Sequence, residues 1–289
     1  MSLQRIGISC KPDDQEVLAL AGELRDWLQA RQCSVLLDRS VPQATDSSCC
    51  AMDEIAGQVD LMVVLGGDGT LLHAARRLIG SDVPILGINL GRLGFLTDTP
   101  VGSMFDVMRE VLRGRFKTKR HFSLCAETWR GGERKACGHV INDLVIERGA
   151  LPRMIEFEMF VRDQFVFRLR ADGLILATPA GSTAYALSAG GAIVHPEVEA
   201  ISVVPVCPHT LSNRPIIIPA NDRIELHLLA SPGQAALNLD GQEHLSLQQG
   251  DRISVRKGRA FSLVYLPERH YFEVLRTKLN WAGQLETRR

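Results

Sequence analysis

An acid set among glycines at the end of an apolar run is the first feature with chemical meaning. Gly66-Gly67-Asp68-Gly69-Thr70 follows Leu61-Met62-Val63-Val64-Leu65 and precedes an amphipathic stretch. Glycines admit positive φ and let backbone N–H groups converge on an anion without a Cβ in the way. A helix starting just after them adds the positive end of its dipole. The loop is therefore suited to a phosphate, whereas the Asp68 carboxylate is repelled by one unless something compensates. Two compensations are open: a divalent cation between acid and phosphate, or a hydroxyl whose proton the acid takes as it attacks phosphorus. Both lead to phosphoryl transfer. The plain alternative is a tight turn in which Asp68 caps the following helix. The run is not a P-loop, for no Lys-Ser/Thr follows at the required spacing, and it does not fit GxGxxG.

A second glycine series, Gly87, Gly91 and Gly94 in "GINLGRLGFLTD", follows the next apolar run. Glycines after two neighbouring parallel strands point to a ligand approached at the carboxyl ends of the strands. Farther on, Asn142-Asp143 and Asp172-Gly173 are polar pairs that also serve as turns. In "GSTAYALSAGG" (181–191), Tyr185 can stack on a base while Thr183 and Ser188 supply hydroxyls. Cys137-Gly138-His139 lacks the second ligand pair that a metal site needs.

The elements that must position these residues fall into two kinds. Up to about residue 120, apolar strands (5–9, 33–38, 60–65, 84–89) alternate with amphipathic helices, one carrying Val17, Leu20, Ala21, Leu24, Trp27 and Leu28, another Leu71, Leu72, Ala75, Leu78 and Ile79, and a third over 101–113. The stretch 39–52 is polar and irregular. This alternation predicts a mostly parallel sheet covered on both faces. Beyond it come short β-rich runs punctuated by Pro, Asn-Asp, Asp-Gly and Gly-Asp, including two separated by the turn-like Arg162-Asp163-Gln164, and "DRISVRKG" followed by "AFSLVYL". The expected division is an α/β domain over 1–120, a β-rich domain over 121–267, and a terminal helix in 268–289, with Phe272, Leu275 and Leu279 at helical spacing, returning to the first domain.

With 33 basic and 33 acidic residues in 289, no cationic excess is available to cover nucleic-acid phosphates. No apolar run approaches the ~18 residues of a membrane span. The start "MSLQRIGISCKPDD" has no signal-peptide pattern, and seven scattered cysteines without CxxC pairs suit a reducing compartment, so a cytoplasmic location is expected.

Six motifs in order, "GGDGTLL", "GINLGRLGFLTD", "INDLVIERG", "DGLILATPAGSTAYALSAGG", "PHTLSNRPIIIP" and "LDGQ", resemble those of NAD kinases. GGDGT by itself also occurs in diacylglycerol and sphingosine kinases and has a cousin in phosphofructokinases. The resemblance implies a Rossmann-like α/β amino-terminal domain of the phosphofructokinase and diacylglycerol-kinase type, a β-rich carboxy-terminal domain, and transfer of the γ-phosphoryl of ATP to the 2′-hydroxyl of the adenosine ribose of NAD, giving NADP. It implies Mg²⁺, held by the ATP phosphates or with Asp68 besides, and a homodimer or homotetramer in the cytoplasm. By position, Asp68 is the proton acceptor. Gly66, Gly67, Gly69 and Thr70 face nucleotide phosphates, with His73 pointing at phosphate from the helix's first turn. Asn142 and Asp143 contact the adenosine part of NAD, where both side chains can accept hydrogen bonds from ribose hydroxyls. Asp172, Thr183, Ala184, Tyr185 and Ser188 belong to the NAD site. Arg153, Arg170 and Gln242 match further contacts, the arginines facing phosphate charge. The chain departs from the family at Asp143, often Glu, at Ala180, often Thr, and at Ala192, often Pro. A lipid kinase and a non-catalytic dinucleotide-binding regulator are the alternatives; the first leaves "TPAGSTAYALSAGG" unexplained and the second leaves Asp68 without a task.

Overall fold

Asp14 fixes where the first helix begins: its side chain accepts from the N–H groups of Glu16 and Val17, which satisfies two of the donors a helix start leaves open. In the computed structural model, which describes residues 3–11, 14–38, 49–50, 52–91, 94–149, 153–210, 212–231, 234–266 and 271–281, the chain divides into two compact units. One comprises Met1–His121 and Phe261–Arg289, the other Phe122–Ala260.

The first unit opens with β1 (Arg5–Cys10), α1 (Gln15–Gln29), β2 (Ser34–Asp38), the short β3 (Cys49–Cys50) and α2 (Met52–Ile55). It continues with β4 (Leu61–Gly66), α3 (Asp68–Arg77), β5 (Pro84–Asn89), β6 (Thr99–Pro100) and α4 (Met104–Leu112). The strands run parallel in the order β5-β4-β1-β2-β3. β4 is buried along its whole length, as a central parallel strand with both faces covered must be. Val17, Leu18, Ala21, Leu24 and Leu28 of α1 and Met104, Val107, Met108 and Val111 of α4 share a core with Ile6, Ile8, Val63, Leu65, Leu86 and Ile88 from the sheet. Most of the stretch 39–52 lies outside the described residues; Cys49–Cys50 within it pairs with β2, so it is not wholly irregular.

The second unit contains β7 (Lys117–Arg130, whose first residues belong to the first unit), β8 (Glu133–Val140), β9 (Asp143–Arg148), β10 (Ile155–Val161), β11 (Gln164–Ala171) and β12 (Gly173–Ala177). There follow α5 (Tyr185–Ser188), β13 (Ala200–Val206), β14 (Ile216–Pro219), β15 (Ile224–Ala230), β16 (Ala235–Leu239), β17 (Glu243–Leu247) and β18 (Arg252–Tyr265). Six antiparallel strands make one sheet in the order β14-β13-β12-β9-β16-β17. The hairpin β10–β11 turns on Arg162 and Asp163, both at positive φ (50° and 63°), as a two-residue hairpin loop with right-handed strand twist demands. β15 pairs with β10 on one side and with Arg252–Val255 of β18 on the other.

Alternation explains how the six-stranded sheet is covered. Leu144, Ile146, Leu174, Leu176, Ile201 and Val203 join Phe157, Met159, Leu226 and Ile253 in one core. Val145, Ile175, Ala177 and Val204 point to the opposite face and pack with Ala186 of α5. The "GSTAYALSAGG" segment is thus the cover of that face, and β12 is buried at every position because both its sides are occupied. The two expected runs "DRISVRKG" and "AFSLVYL" are one continuous strand, β18. A Cβ on Gly258 would stand 2.5 Å from Ser123 Oγ, so that glycine serves a close approach and not a turn. Past β18, α6 (Tyr271–Leu279) buries Leu275.

Candidate functional site

In the first unit, the candidate loop joins β4 to α3. Asp68 is the first residue of α3 and Gly67 its N-cap, with no side-chain cap. The carboxylate therefore does not cap its own helix. It turns to the segment after β5 and accepts four hydrogen bonds there: Phe95 N–H on Oδ2 at 2.8 Å, and Leu96 N–H (3.1 Å), Thr97 N–H (2.9 Å) and the Thr97 hydroxyl (2.9 Å) on Oδ1. Oδ1 is filled, whereas Oδ2, with one donor, keeps capacity for a second. The two glycine series meet at this carboxylate, since a Cβ on Gly94 would stand 2.0 Å from Asp68 Oδ1. Asn89, at the end of β5, donates from Nδ2 to Thr97 Oγ1 at 2.9 Å, both residues being buried. Asn89 and Thr97 were not among the expected site residues; their place within "GINLGRLGFLTD" was the available sign.

The loop glycines differ in task. Gly66 is buried at the end of β4, and a Cβ there would stand 2.4 Å from Thr70 Oγ1. The absent side chain lets the first turn of α3 pack against the end of β4. Gly67 and Gly69 have open space where a Cβ would be, and neither has a positive φ. Their use is clearance at the start of α3, where the dipole and the first-turn N–H groups favour an anion. Thr70 is half-buried in the first turn, and His73 is exposed one turn on.

In the second unit, Asn142, Asp143, Ala184 and Tyr185 line one pocket of about 220 Å³ together with Val145, Glu147, Asn238, Asp240 and Gly241. Three of these residues are acids and none is a base, so the pocket suits hydroxyl and amino groups and not phosphate. Asn142 Oδ1 is buried without a hydrogen-bond partner, an acceptor whose burial costs free energy until a donor meets it. Asp143, 6% exposed, is pushed up to about 7 by burial and then by the negative charge of Asp240, against a stabilising hydrogen bond from the Tyr185 backbone. Neither residue is in a simple turn: β9 begins at Asp143.

The backbone beneath them is held from both sides. Asp240 Oδ2 accepts from Ile141 N–H (2.8 Å), and Oδ1 accepts from Asn142 N–H (2.8 Å) and Asp143 N–H (3.1 Å). Thr178 donates its hydroxyl to the Ile141 carbonyl (2.6 Å) and its N–H to the Asn142 carbonyl (2.9 Å). Gly181 is pressed so close that a Cβ would stand 2.0 Å from the Asn142 carbonyl oxygen. Asp240, within the quoted "LDGQ", and Thr178 were also missing from the expected set.

The remaining expected residues do not line this pocket. Thr183 donates its hydroxyl to the Ala180 carbonyl (3.1 Å). Asp172 pairs with Arg148 at 2.8 Å; it joins β11 to β12, which lie in different sheets, so Asp172-Gly173 is not the turn of a hairpin. Ser188, Arg153, Arg170 and Gln242 are exposed. Among the described residues, no group of three or more His, Cys, Asp and Glu is placed to hold a metal ion, and no helix is long and apolar enough to cross a membrane.

Both units match known families. Residues 6–116 match the model of the ATP-NAD kinase N-terminal domain, and residues 141–265 that of the ATP-NAD kinase C-terminal domain. An NAD kinase of Magnetococcus marinus is 40% identical, covering 99% of this chain and 97% of its own. One from Thiobacillus denitrificans is 42% identical, covering 97% and 98%. Among solved structures, yeast NADH kinase complexed with NADH superposes with a TM-score of 0.90 at 29% identity, over 100% of this chain and 91% of that one. An NAD kinase from Archaeoglobus fulgidus in complex with ATP gives 0.74 at 25% identity, over 94% and 99%. Carrying both domains, in order and over nearly its full length, the chain belongs to the NAD kinase family and is a phosphotransferase with an alcohol group as acceptor.

Proposed function

We propose that the chain transfers the γ-phosphoryl of ATP to the 2′-hydroxyl of the adenosine ribose of NAD, with Asp68 as the acceptor of the hydroxyl proton. The observation that carries this reading is the Asp68 carboxylate, fixed by four donors yet left with capacity on Oδ2. A base so held needs little reorganisation when the hydroxyl attacks. The acidic pocket supports the choice of acceptor: Asn142 and Asp143 take hydrogen bonds from ribose hydroxyls, and Tyr185 offers a ring for the base. The diphosphate belongs elsewhere, with the cleared start of α3 and with exposed arginines such as Arg153 and Arg170 as its candidates. Gly67, Gly69, Thr70 and His73 serve the phosphates in this reading; Asp172, Thr183, Ala184, Ser188 and Gln242 complete the NAD site.

Mg²⁺ fits as an ion carried on the triphosphate. It demands few protein ligands when phosphate oxygens supply the rest. When bound it neutralises charge that develops on the transferring group. The enzyme is expected in the cytoplasm as a homodimer or homotetramer.

Purified protein given NAD, ATP and Mg²⁺ is expected to form NADP. Asp68→Asn should lower kcat by about 10²–10⁴ while NAD affinity, measured by calorimetry, stays within a few-fold. An Asp68→Asn enzyme with wild-type turnover would remove the base assignment, and wild-type protein that binds NAD but makes no NADP would remove the reaction.

A further inference from the structure

Asp240 belongs to the tip between β16 and β17, at φ +54 and followed by Gly241 at φ +66. A non-glycine residue in the left-handed region costs energy that the surrounding contacts must offset. Here the offset is visible. Three consecutive N–H groups, those of Ile141, Asn142 and Asp143, converge on its two carboxylate oxygens, and the Asp240 N–H donates to the Asp143 carbonyl at 3.0 Å. With the carbonyls of Ile141 and Asn142 taken by Thr178, the backbone of this segment is engaged on both sides, and the Asn142 and Asp143 side chains are what it presents to the pocket.

We infer that Asp240 is a positioning residue of the dinucleotide site, aiming Asn142 and Asp143 at the ribose by holding the backbone from which they project and standing beside Asp143 as a second carboxylate. The inference rests on the proposed NAD reading of the pocket. A neutral acceptor at residue 240 could hold part of the backbone, but only a charged one also acts on its neighbour. The groups that share the pocket with Asp143 are Asp240 from the β16–β17 tip, Glu147 on its own strand, and Tyr185 from α5, whose backbone N–H bonds to Asp143. Among the described residues that line the pocket, none is a cation. An Asp143 that accepts from ribose hydroxyls binds best when ionised, and Asp240 opposes that ionisation.

The test measures KM for NAD, kcat, and NAD affinity in the absence of ATP from pH 5.5 to 8.5, in wild type, Asp240→Asn and Asp143→Asn. Wild-type affinity for NAD should rise as pH passes through neutrality, and Asp143→Asn should abolish that rise. Asp240→Asn should weaken NAD at the high-pH plateau by at least about fivefold, leave kcat within twofold, and move the midpoint of the rise to lower pH by about one unit. A merely structural role would weaken binding without moving the midpoint. Asp240→Gly, a residue at ease at positive φ, gives the same readouts if Asp240→Asn does not fold. A plateau and midpoint unchanged in the folded Asp240 variant overturn the inference. Wild-type pH dependence retained in Asp143→Asn, or no NAD binding by wild type, overturns instead the reading of the pocket on which it stands.

Discussion

Asn89, Thr97 and Asp68 form a chain of hydrogen bonds with a fixed direction. The Asn89 amide can only donate from Nδ2, so Thr97 Oγ1 accepts there and its own proton goes to Asp68 Oδ1. Thr97→Val keeps the shape and removes that proton. It is expected to lower kcat by roughly tenfold, the worth of one charge-assisted hydrogen bond, with KM for NAD little changed and Thr97→Ser restoring most of the loss; steady-state kinetics decide it. Asp143 supplies a second prediction at this scale, on stability. Burial first, and Asp240 second, raise its value from the ordinary 3.8 to about 7, so the native protein holds this proton more tightly than the unfolded chain. Stability from this group is fully present below about pH 4 and is lost as pH rises to about 7. Asp143→Asn lacks that loss. Measured by denaturant unfolding, the difference between variant and wild type should shift in favour of the variant by on the order of 1–3 kcal/mol between pH 4 and pH 8.

Elements set these geometries by close approach, and Gly181 shows how tight it is. A methyl group there would stand 2.0 Å from a backbone carbonyl, which no side-chain rotation relieves. Gly181→Ala should displace Asn142 and reduce kcat/KM for NAD about tenfold or more, whereas Gly69→Ala, with nothing within 4 Å of its added carbon, should leave the fold intact as judged by thermal unfolding. Such contacts mark the limit of what the sequence discloses. The alternating strands and helices of the first unit were legible because each is a local pattern: a buried run for β4, 3.6-residue spacing for α1, the Arg162-Asp163 turn between β10 and β11. Asp68 was legible as an anomaly among glycines. Its support by Thr97 was not, since the partners lie 29 residues apart, and the hold of Asp240 on Ile141 spans 99. The continuity of β18 was hidden for the same reason, because Lys257-Gly258 looks like a turn until Ser123, from a strand far earlier in the chain, is placed against it.

At the scale of the molecule, each unit has its own core, and the first is built from two distant pieces of chain. β5 pairs with Ser262 and Leu263 of β18, and Val264 joins the core made by α1, α4 and the parallel strands. Truncation after Ala260 should therefore unfold or loosen the first unit although every residue of its loop and of Asp68 remains; hydrogen exchange at the β5 amides would register it as lost protection. The same arrangement has a consequence for how the protein is made. A ribosome delivers β5 long before β18, and at about 5–20 residues per second the interval is on the order of ten seconds. Throughout it, the Pro84–Ile85 end of β5 lacks its eventual neighbour, while Ile88 and Asn89 already pair with β6, and open strand backbone of this kind invites association with other nascent chains. Synthesis thus leaves the first unit incomplete until Ser262 and Leu263 are available to pair with β5, and chaperone occupancy of the growing chain should persist until then.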